Sequence, residues 1–372
     1  MSNPTGPGTT PRHTPLHDLH LELRGKLVDF AGWSLPVHYP AGIMTEHRHC
    51  RTAAALFDVS HMAQVLIHGD GAAAAFERLV PGDIAGLDQG RLRYTVFTNE
   101  QGGVLDDLIA GPVAEGLFVV ANAACRDADL AHMRQALEPA HRVEELTRRA
   151  LLALQGPGAA AVLARLCPAA RDLAFMKTST AAVAGVPCRI ARSGYTGEDG
   201  FEISLAAEDA DRLARRLLEE PEVAPAGLGA RDSLRLEAGL CLYGHELTPE
   251  TTPIEAGLAW TIAKRRRRDA DFPGAEVILR QLEDGPPRKL VGIRPEGRAP
   301  AREGTEIQDG QGDRIGEVTS GGFGPTVGGP IALGYVSTGQ AALATAVRLS
   351  IRGKPHPAEV VDLPFVPHRY QR

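Results

Sequence analysis

The sequence predicts an α+β protein of more than one domain, with an all-β domain at its C-terminal end. Its 372 residues exceed what one compact core holds, so two or three domains are expected. Helix and strand patterns are mixed without the regular βα alternation of a parallel sheet. Around residues 283–287 long helical patterns give way to short strands punctuated by glycine.

In the N-terminal part, two segments have helical spacing. Residues 72–80 predict a helix with Asp70 as its cap. After Asp127, the residues Leu130, Met133 and Leu137 recur on one helical face, which predicts a second helix.

In the middle of the chain, residues 151–154 are typical of a short buried strand, and a helix to Leu166 follows the turn at residues 155–157. Residues 201–205 alternate apolar and polar, which places Glu202 opposite the core face of a strand. Residues 209–219 predict another amphipathic helix.

The predicted division of the chain has four parts. Residues 1–12 are rich in Pro, Gly and Thr and predict a disordered tail without the apolar core of a secretory signal. Residues 13–145 and 146–283 are predicted as two α+β domains. Residues 288–372, with a turn at Asp309-Gly310, are predicted as the β domain.

Composition narrows the class of protein. A formal charge of −6 argues against a general nucleic-acid-binding surface, and no apolar run is long enough to cross a membrane. The five cysteines are scattered without a Cys-x-x-Cys pair, which favours reduced thiols and a cytosolic location.

Common cofactor and metal motifs are missing from the sequence, including the dinucleotide-binding glycine turn, the Walker loop and His-Glu-x-x-His. The nearest approach to a metal cluster is at residues 46–50, Glu-His-Arg-His-Cys. Consecutive side chains cannot all face one ion and Arg48 opposes a cation, so no metal site is predicted.

The first segment with candidate chemistry is residues 99–108, where a Gly102-Gly103 turn leads into an apolar strand carrying Asp106 and Asp107. Buried carboxylates are costly unless a partner or ligand meets them. Neighbouring residues of a strand face opposite ways, so only one of the two can face a given cavity. Spacing alone favours a solvated hairpin edge.

The second segment, residues 193–202, is a glycine-rich loop that ends at Glu202 and lets the backbone approach a ligand closely. An ordinary hairpin is the alternative. The third segment, residues 229–240, places Arg231 and Arg235 on one helical face. An arginine paired with a glutamate suits the amide and amino edges of a pterin, although a structural salt bridge is the commoner case.

Taken together, these segments closely resemble the aminomethyltransferase family, the T-proteins of the glycine cleavage system, from about Thr14 to Tyr370. The resemblance extends over segments in family order and spacing, among them residues 30–33 (FAGW), 56–62 (LFDVSHM), 102–108 (GGVLDDL), 153–157 (ALQGP), 194–202, 230–244, 252–260, 318–321 and 364–367.

The resemblance implies a fold and an activity. The fold is a three-domain cloverleaf around a central folate cavity, with two α+β domains followed by a β-barrel or jelly-roll-like domain. The family takes an aminomethyl group from the lipoyl arm of H-protein, releases ammonia and passes the one-carbon unit to tetrahydrofolate, giving 5,10-methylenetetrahydrofolate. It implies no metal and no flavin, and H-protein as the partner.

The resemblance also implies roles for individual residues. Asp107 is the expected catalytic carboxylate, beside folate N5 and N10; if Asp106 faces outward, its replacement has the milder effect. Glu202 and Arg231 are expected to anchor the folate. The remaining expected cavity residues are Met62, Tyr94, Val120, Asn122, Tyr195, Trp260 and the C-terminal Tyr370. His61 and Trp33 also lie in family motifs, where core packing explains them equally well.

The basic run at residues 264–268 (KRRRR) has two interpretations, a solvated helix face or a docking site for an acidic H-protein. Two other functions remain open. One is a relative of the same fold with another one-carbon donor, such as a folate-dependent demethylase. The other is a non-enzymatic folate-binding protein of the kind associated with iron–sulfur cluster maintenance.

Overall fold

The computed structural model describes residues 10–371. In chain order its strands are β1 (Arg12–His13), β2 (Lys26–Phe30), β3 (Trp33–His38), β4 (Ala54–Asp58), β5 (Ala63–His68), β6 (Arg93–Thr98), β7 (Val104–Val113), β8 (Gly116–Ala121), β9 (Val143–Glu145), β10 (Arg149–Gln155), β11 (Thr178–Val183), β12 (Val186–Ala191), β13 (Gly200–Ala206), β14 (Val223–Pro225), β15 (Arg288–Pro295), β16 (Glu306–Gln308), β17 (Arg314–Gly324), β18 (Gly329–Ser337), β19 (Ala346–Ile351) and β20 (Lys354–Val361).

The α-helices of the same residues are α1 (His17–Glu22), α2 (Ile43–Thr52), α3 (Ala72–Glu77), α4 (Arg126–Leu137), α5 (Ala159–Leu166), α6 (Ala210–Leu218), α7 (Leu228–Glu237), α8 (Lys264–Asp269) and α9 (Ala275–Asp284). The helix predicted after Asp127 is therefore confirmed as α4, and the predicted helices and strands of the middle of the chain are confirmed as β10, α5, β13 and α6.

Sheet I contains five antiparallel strands in the order β6-β7-β8-β5-β9. One of its faces is covered by α3 and α4, whose residues Phe76, Leu130 and Met133 join the apolar core of this layer. The spacing of Leu130, Met133 and Leu137 explains why α4 presents a continuous apolar stripe to the sheet.

Sheet II contains six strands in the order β11-β12-β13-β10-β4-β14. One face packs on α5 and α6 through residues such as Val162 and Leu213. The other face packs on α7 and also meets Met62 and Val120 of the sheet I region. The two sheets therefore share a contact region, to which the predicted site residues Met62 and Val120 belong.

The C-terminal residues form a closed barrel of six strands in the order β15-β18-β17-β16-β19-β20. Its apolar core includes Ile293, Val318 and Leu349. The predicted β-barrel is therefore confirmed. The residues predicted as a linker lie between α9, which ends at Asp284, and β15, which begins at Arg288. The predicted turn at Asp309 connects β16 to β17, with its carboxylate accepting three backbone N–H groups.

Helix α7 joins the layers of the molecule. Its Leu234 packs on sheet II, and its Leu236 packs on Ile331 and Leu333 of the barrel. The guanidinium of Arg235 donates to Glu246 and, at 2.8 Å, to Ser320 of the barrel. Arg235 is therefore a structural cation.

Two details near the N-terminus differ from the predictions. Helix α3 follows Gly71, which has a φ of +82°, so Asp70 does not cap it and the helix ends at Glu77. Most of the predicted disordered tail lies outside the described residues, but Arg12 belongs to β1, which pairs in parallel with β3 at Trp33.

The predicted division near residue 145 falls between the sheets, because β9 belongs to sheet I and β10 to sheet II. Sheet II also includes β4, which precedes that division in the chain. As bounds of domains, 13–145, 146–283 and 288–372 stay predictions.

Candidate folate and aminomethyl-transfer site

Strand β7 gives the two faces of sheet I one carboxylate each. In the register, Val96 pairs with Asp107 and Tyr94 with Ile109, while Ile109 pairs with Val120. Residues directly opposite on antiparallel strands share a face. Tyr94, Asp107 and Val120 therefore lie on the face that is turned away from α4.

The turn before β7 depends on glycine. A Cβ atom at Gly103 would lie 1.8 Å from the carbonyl oxygen of Pro249, so a side chain does not fit. The side chain of Asn99 closes the turn by accepting the N–H groups of Gln101 and Gly103. This close approach sets where β7 begins and therefore which carboxylate faces which side.

Asp107 is partly exposed, and two neighbours hold its carboxyl group. The amide nitrogen of Asn122 donates to its Oδ1 at 2.9 Å, and the hydroxyl of Tyr94 is hydrogen-bonded to it. Burial, and then the charge of Asp106, raise the pKa of Asp107 to about 7. A carboxyl with this pKa changes its protonation in the neutral range, which suits acid–base and electrostatic chemistry.

Asp106 is fully buried on the opposite face, under α4. Its two oxygens accept the backbone N–H of Asn122 at 3.1 Å and the side-chain amide of Asn122 at 2.9 Å. The sequence prediction for Asp106 assumed that its side chain faces outward, and this assumption is wrong. Strand alternation does turn Asp106 away from Asp107, but helix α4 covers the face on which Asp106 lies.

Asp129 of α4 is a buried acid that the sequence prediction missed. It is 3 % exposed, and its carboxyl is hydrogen-bonded to that of Asp106. Burial, and then the charge of Asp106, raise the pKa of Asp129 to about 10. A signal was available, because Asp129 stands four residues before Met133 and shares its helical face.

Glu202 and Arg231 belong to the other side of the site. Glu202 is half-buried on β13 and accepts a hydrogen bond from the hydroxyl of Ser193 at 2.8 Å. The guanidinium carbon of Arg231, on α7, lies 4.9 Å from the ring centre of Tyr195. Burial lowers the pKa of Arg231, while the charge of Glu202 acts in the opposite direction. The structure thus places these two predicted anchors within electrostatic reach of each other.

One donor of this pair is unused. Within residues 10–371, the buried Nη1 atom of Arg231 has no hydrogen-bond partner. A buried unpaired donor is costly, so the position favours a ligand that carries an acceptor.

The loop that carries Tyr195 is held close to sheet II. A Cβ atom at Gly194 would lie 1.8 Å from Oε1 of Gln155, whose amide also donates to the carbonyl of Ser193. The hydroxyl of Tyr195 donates to the carbonyl of Cys241. The glycine-rich segment is therefore a fixed wall beside Arg231.

Aromatic groups border the site at a second place. The rings of Tyr94 and Trp260 stack with centres 5.5 Å apart, and Trp260 is 64 % exposed. The structure brings these two together, whereas Tyr370 stacks on Phe175, 4.4 Å between ring centres, as part of the C-terminal segment.

Met62 and Val120 are half-buried in the apolar cluster between the sheets. Met62 also lines a cavity of about 300 Å³ together with Trp33, Arg126 and Arg149. The guanidinium carbons of Arg12 and Arg126 lie 4.4 and 5.7 Å from the ring centre of Trp33. Trp33 therefore lines a cavity instead of filling the apolar core.

His61 is a buried neighbour of Arg231. It is 3 % exposed, and its ring meets that of Phe30 edge-on at 5.5 Å. Burial, and then the charge of Arg231, lower the pKa of His61 to about 4, so the imidazole is neutral at neutral pH.

The two charged segments outside the site have structural contacts. In residues 46–50, Glu46 accepts the N–H groups of Tyr39 and Gly227, and His47 is hydrogen-bonded to Glu237. Within residues 10–371, no group of three or more His, Cys, Asp or Glu residues is placed to hold a metal ion.

In the basic run, Arg266 is 1 % exposed and donates to the carbonyl of Glu77, while Arg265 pairs with Glu77 and Asp83. Lys264 and Arg268 are the exposed members of the run. A uniformly solvated face is therefore the wrong interpretation of this segment.

All five cysteines are free and buried, in agreement with the predicted reduced thiols. None of the helices in the described part of the chain is long and apolar enough to span a membrane.

Comparisons with known proteins identify the family. The family described as "GCVT N-terminal domain" matches residues 16–266, and "Glycine cleavage T-protein C-terminal barrel domain" matches residues 288–367. The chain is 45 % identical to an aminomethyltransferase from Dictyostelium discoideum, over 97 % of this chain and 94 % of that protein. It is 47 % identical to the enzyme of Solanum tuberosum, over 97 % of this chain and 91 % of that protein.

A solved structure agrees with these relatives. The crystal structure of the glycine cleavage system aminomethyltransferase T from Bartonella henselae matches with a TM-score of 0.91 and 45 % identity, covering 97 % of this chain and 99 % of that one. Both curated relatives are named mitochondrial, which does not support the predicted cytosolic location, so that location stays a prediction. By sequence over nearly its whole length and by fold, the chain belongs to the aminomethyltransferase family, the T-proteins of the glycine cleavage system.

Proposed function

We propose that this protein transfers a one-carbon unit from the aminomethyl-dihydrolipoyl arm of H-protein to tetrahydrofolate. The carbon–sulfur and carbon–nitrogen bonds of the aminomethyl group break, and the carbon bonds to N5 and N10 of the folate. The two protons lost from those nitrogens leave with ammonia and with the dihydrolipoyl thiol. The products are 5,10-methylenetetrahydrofolate, ammonia and the reduced arm, with no net oxidation.

The observation that carries this proposal is the setting of Asp107. Asp107 is partly exposed on the face of sheet I that meets sheet II, and Asn122 and Tyr94 fix the orientation of its carboxyl group. An iminium-like carbon gains positive charge in the transition state, and a fixed carboxylate beside it stabilises that charge. We assign Asp107 this role, together with orienting the folate nitrogens.

The pterin is proposed to lie between Asp107 and the pair Glu202–Arg231. The unused Nη1 of Arg231 would donate to an acceptor of the pterin, and Glu202 would accept from its N–H edge. Tyr195, under the guanidinium of Arg231, keeps that donor in place.

The remaining predicted contacts divide into three kinds. Asn122 is proposed to act through Asp107, since its amide bonds to that carboxylate. Met62 and Val120 would give the cavity an apolar wall, and Tyr94 and Trp260 an aromatic border. Tyr370 stays a proposed ligand contact, approached from the C-terminal segment.

Docking of H-protein at the basic run is a narrower proposal than the sequence suggested. Arg265 and Arg266 are engaged by acidic and carbonyl groups of the chain. Lys264 and Arg268 are the exposed members of the run, although Arg268 also pairs with Asp269 at 3.0 Å, so these two would carry the attraction. We expect Lys264→Gln with Arg268→Gln to weaken the affinity for H-protein and flatten its salt dependence. Unchanged affinity and slope would refute docking there.

The test of the overall function is a reaction with purified components. The protein, given aminomethylated H-protein and tetrahydrofolate, is expected to release ammonia and form 5,10-methylenetetrahydrofolate. Binding of tetrahydrofolate without release of ammonia would favour the non-enzymatic alternative. Turnover with an N-methylated amine and none with H-protein would favour the demethylase alternative.

A further inference from the structure

The acid cluster behind Asp107 has no assigned role in the proposed reaction. It consists of Asp106 on β7, Asp129 and Cys125 on or next to α4, and Tyr243 after α7. Asp106 and Asp129 are 0 % and 3 % exposed. Two carboxyl groups this deeply buried require a reason, because an unpaired buried charge is very unfavourable.

Both carboxyl oxygens of Asp106 accept hydrogen bonds. It receives the backbone N–H and the side-chain amide of Asn122, at 3.1 and 2.9 Å, and is also hydrogen-bonded to Cys125 and Asp129. An ionised carboxylate has only acceptors to offer, so this arrangement suits the charged form of Asp106.

Asp129 has the opposite setting. Its Oδ2 atom is buried without a hydrogen-bond partner within residues 10–371, and the groups that act on it are the carboxyls of Asp106 and Asp107. Two carboxyls in contact cannot both be ionised away from water, so they share one proton. Burial raises the pKa of both acids, but hydrogen bonds from Asn122 and Asp129 act in the opposite direction on Asp106, whereas the pKa of Asp129 is raised to about 10, so the shared proton is assigned to Asp129.

The cluster is connected to the proposed catalytic carboxylate through a single side chain. The amide nitrogen of Asn122 donates both to Oδ1 of Asp106 and to Oδ1 of Asp107, each at 2.9 Å. The position of Asp106 therefore determines where Asn122 points, and Asn122 in turn determines where the carboxylate of Asp107 points.

We propose that Asp129 is a positioning residue, a neutral acid whose proton is donated to Asp106, so that Asp106 stays an ionised acceptor and aligns Asp107 through Asn122. This inference rests on the proposed role of Asp107. Asp129 itself lies behind sheet I, on the face away from the site, and does not meet the substrates.

Two substitutions of similar shape separate donation from packing. Asparagine and leucine both branch at Cγ like aspartate, but only asparagine can donate a hydrogen bond to Asp106. We expect Asp129→Asn to retain kcat within about threefold, and Asp129→Leu to lose about tenfold in kcat with KM for tetrahydrofolate nearly unchanged. Asp127→Asn, an exposed acid of the same helix, is the control.

The pH profile gives a second, independent signature. Without a donor at position 129, Asp106 takes up a proton more readily, and its charge no longer raises the pKa of Asp107. In a plot of kcat against pH, the acid limb is the part in which kcat falls as the pH is lowered. We expect this acid limb to move to lower pH in Asp129→Leu and to stay in place in Asp129→Asn. Equal loss of kcat in both variants, or an unmoved limb in Asp129→Leu, would overturn the proposal.

An infrared measurement tests the proton itself without turnover. At a pH between 7 and 10, where Asp107 is mostly ionised, the wild type should show the carbonyl stretch of a protonated carboxylic acid that Asp129→Asn lacks. Absence of that difference refutes the inference even if Asp129→Leu does not fold. If Asp107→Asn retains full kcat while the band is present, the proposed function of Asp107 fails and the proton assignment stands.

Discussion

On one face of sheet I Asp107 is partly exposed and two side chains hold its carboxyl group, whereas on the other face Asp106 is wholly buried under α4. Both residues are aspartates and adjacent in one strand. The difference comes from what covers each face: sheet II and open space on one side, and a helix with an apolar stripe on the other. Alternation along β7 thus separates a carboxylate that can meet a substrate from one that supports it.

The largest expected effect concerns the carboxylate on the open face. Asp107→Asn removes the negative charge with little change of shape, so we expect kcat to fall about 10²- to 10⁴-fold while tetrahydrofolate binding largely survives. Asp106→Asn should reduce kcat by only about tenfold, because it acts through Asn122. Steady-state kinetics and folate titration measure both. A larger loss at Asp106 would reverse the assignment of the two faces.

The apolar packing of the covered face should respond in stability and not in chemistry. Met133 of α4 is 0 % exposed, so Met133→Ala is expected to lower the free energy of unfolding by about 2–5 kcal/mol. Because Met133 belongs to the apolar core of this layer and not to the acid cluster, kcat of the folded protein should change little. Denaturant unfolding with kinetics on the same samples checks this. Met44→Ala, at a side chain that is 42 % exposed, is the control and should cost far less.

The pH dependence of turnover sharpens the comparison further. Since the pKa of Asp107 is raised to about 7 and the charged form is the active one, kcat should fall as the pH drops through 7, about tenfold per unit below it. The limb should be absent from the residual activity of Asp107→Asn. A limb that persists unchanged in that variant would assign it to another group.

The smallest expected effect concerns the hydroxyl of Tyr94. Its hydrogen bond lowers the pKa of Asp107, so Tyr94→Phe should move the acid limb to higher pH, with a change of kcat of only a few-fold above it. The control is Tyr335→Phe, in barrel strand β18, which removes a buried hydroxyl that donates to the carbonyl of Glu246. A limb that moves equally in both variants would contradict a direct bond to Asp107.

Sequence patterns were sufficient for elements whose own spacing determines them. The stripe of Leu130, Met133 and Leu137 predicted α4, and the change of composition before Arg288 predicted the barrel. The choice of Asp107 over Asp106 came from family resemblance, because alternation assigns opposite faces without saying which face a helix covers.

Tertiary contacts determined what the sequence could not predict. Arg266 is buried and donates a hydrogen bond to the backbone carbonyl of Glu77, which is distant in the sequence. Part of a basic run that the sequence alone would place in solvent is therefore structural. The sequence places Asp129 on the same helical face as the apolar stripe of α4, but its partner Asp106 lies on β7, and helical spacing cannot predict that contact.

The most direct test of the account is a structure of the protein with tetrahydrofolate bound. We predict that N5 or N10 of the folate lies within hydrogen-bond distance of the carboxylate of Asp107, with the pterin edge at Glu202 and Arg231 and no contact with Asp106. A folate bound elsewhere, with Asp107 left without contact to it, would contradict the assignment of the open face of sheet I as the site of transfer.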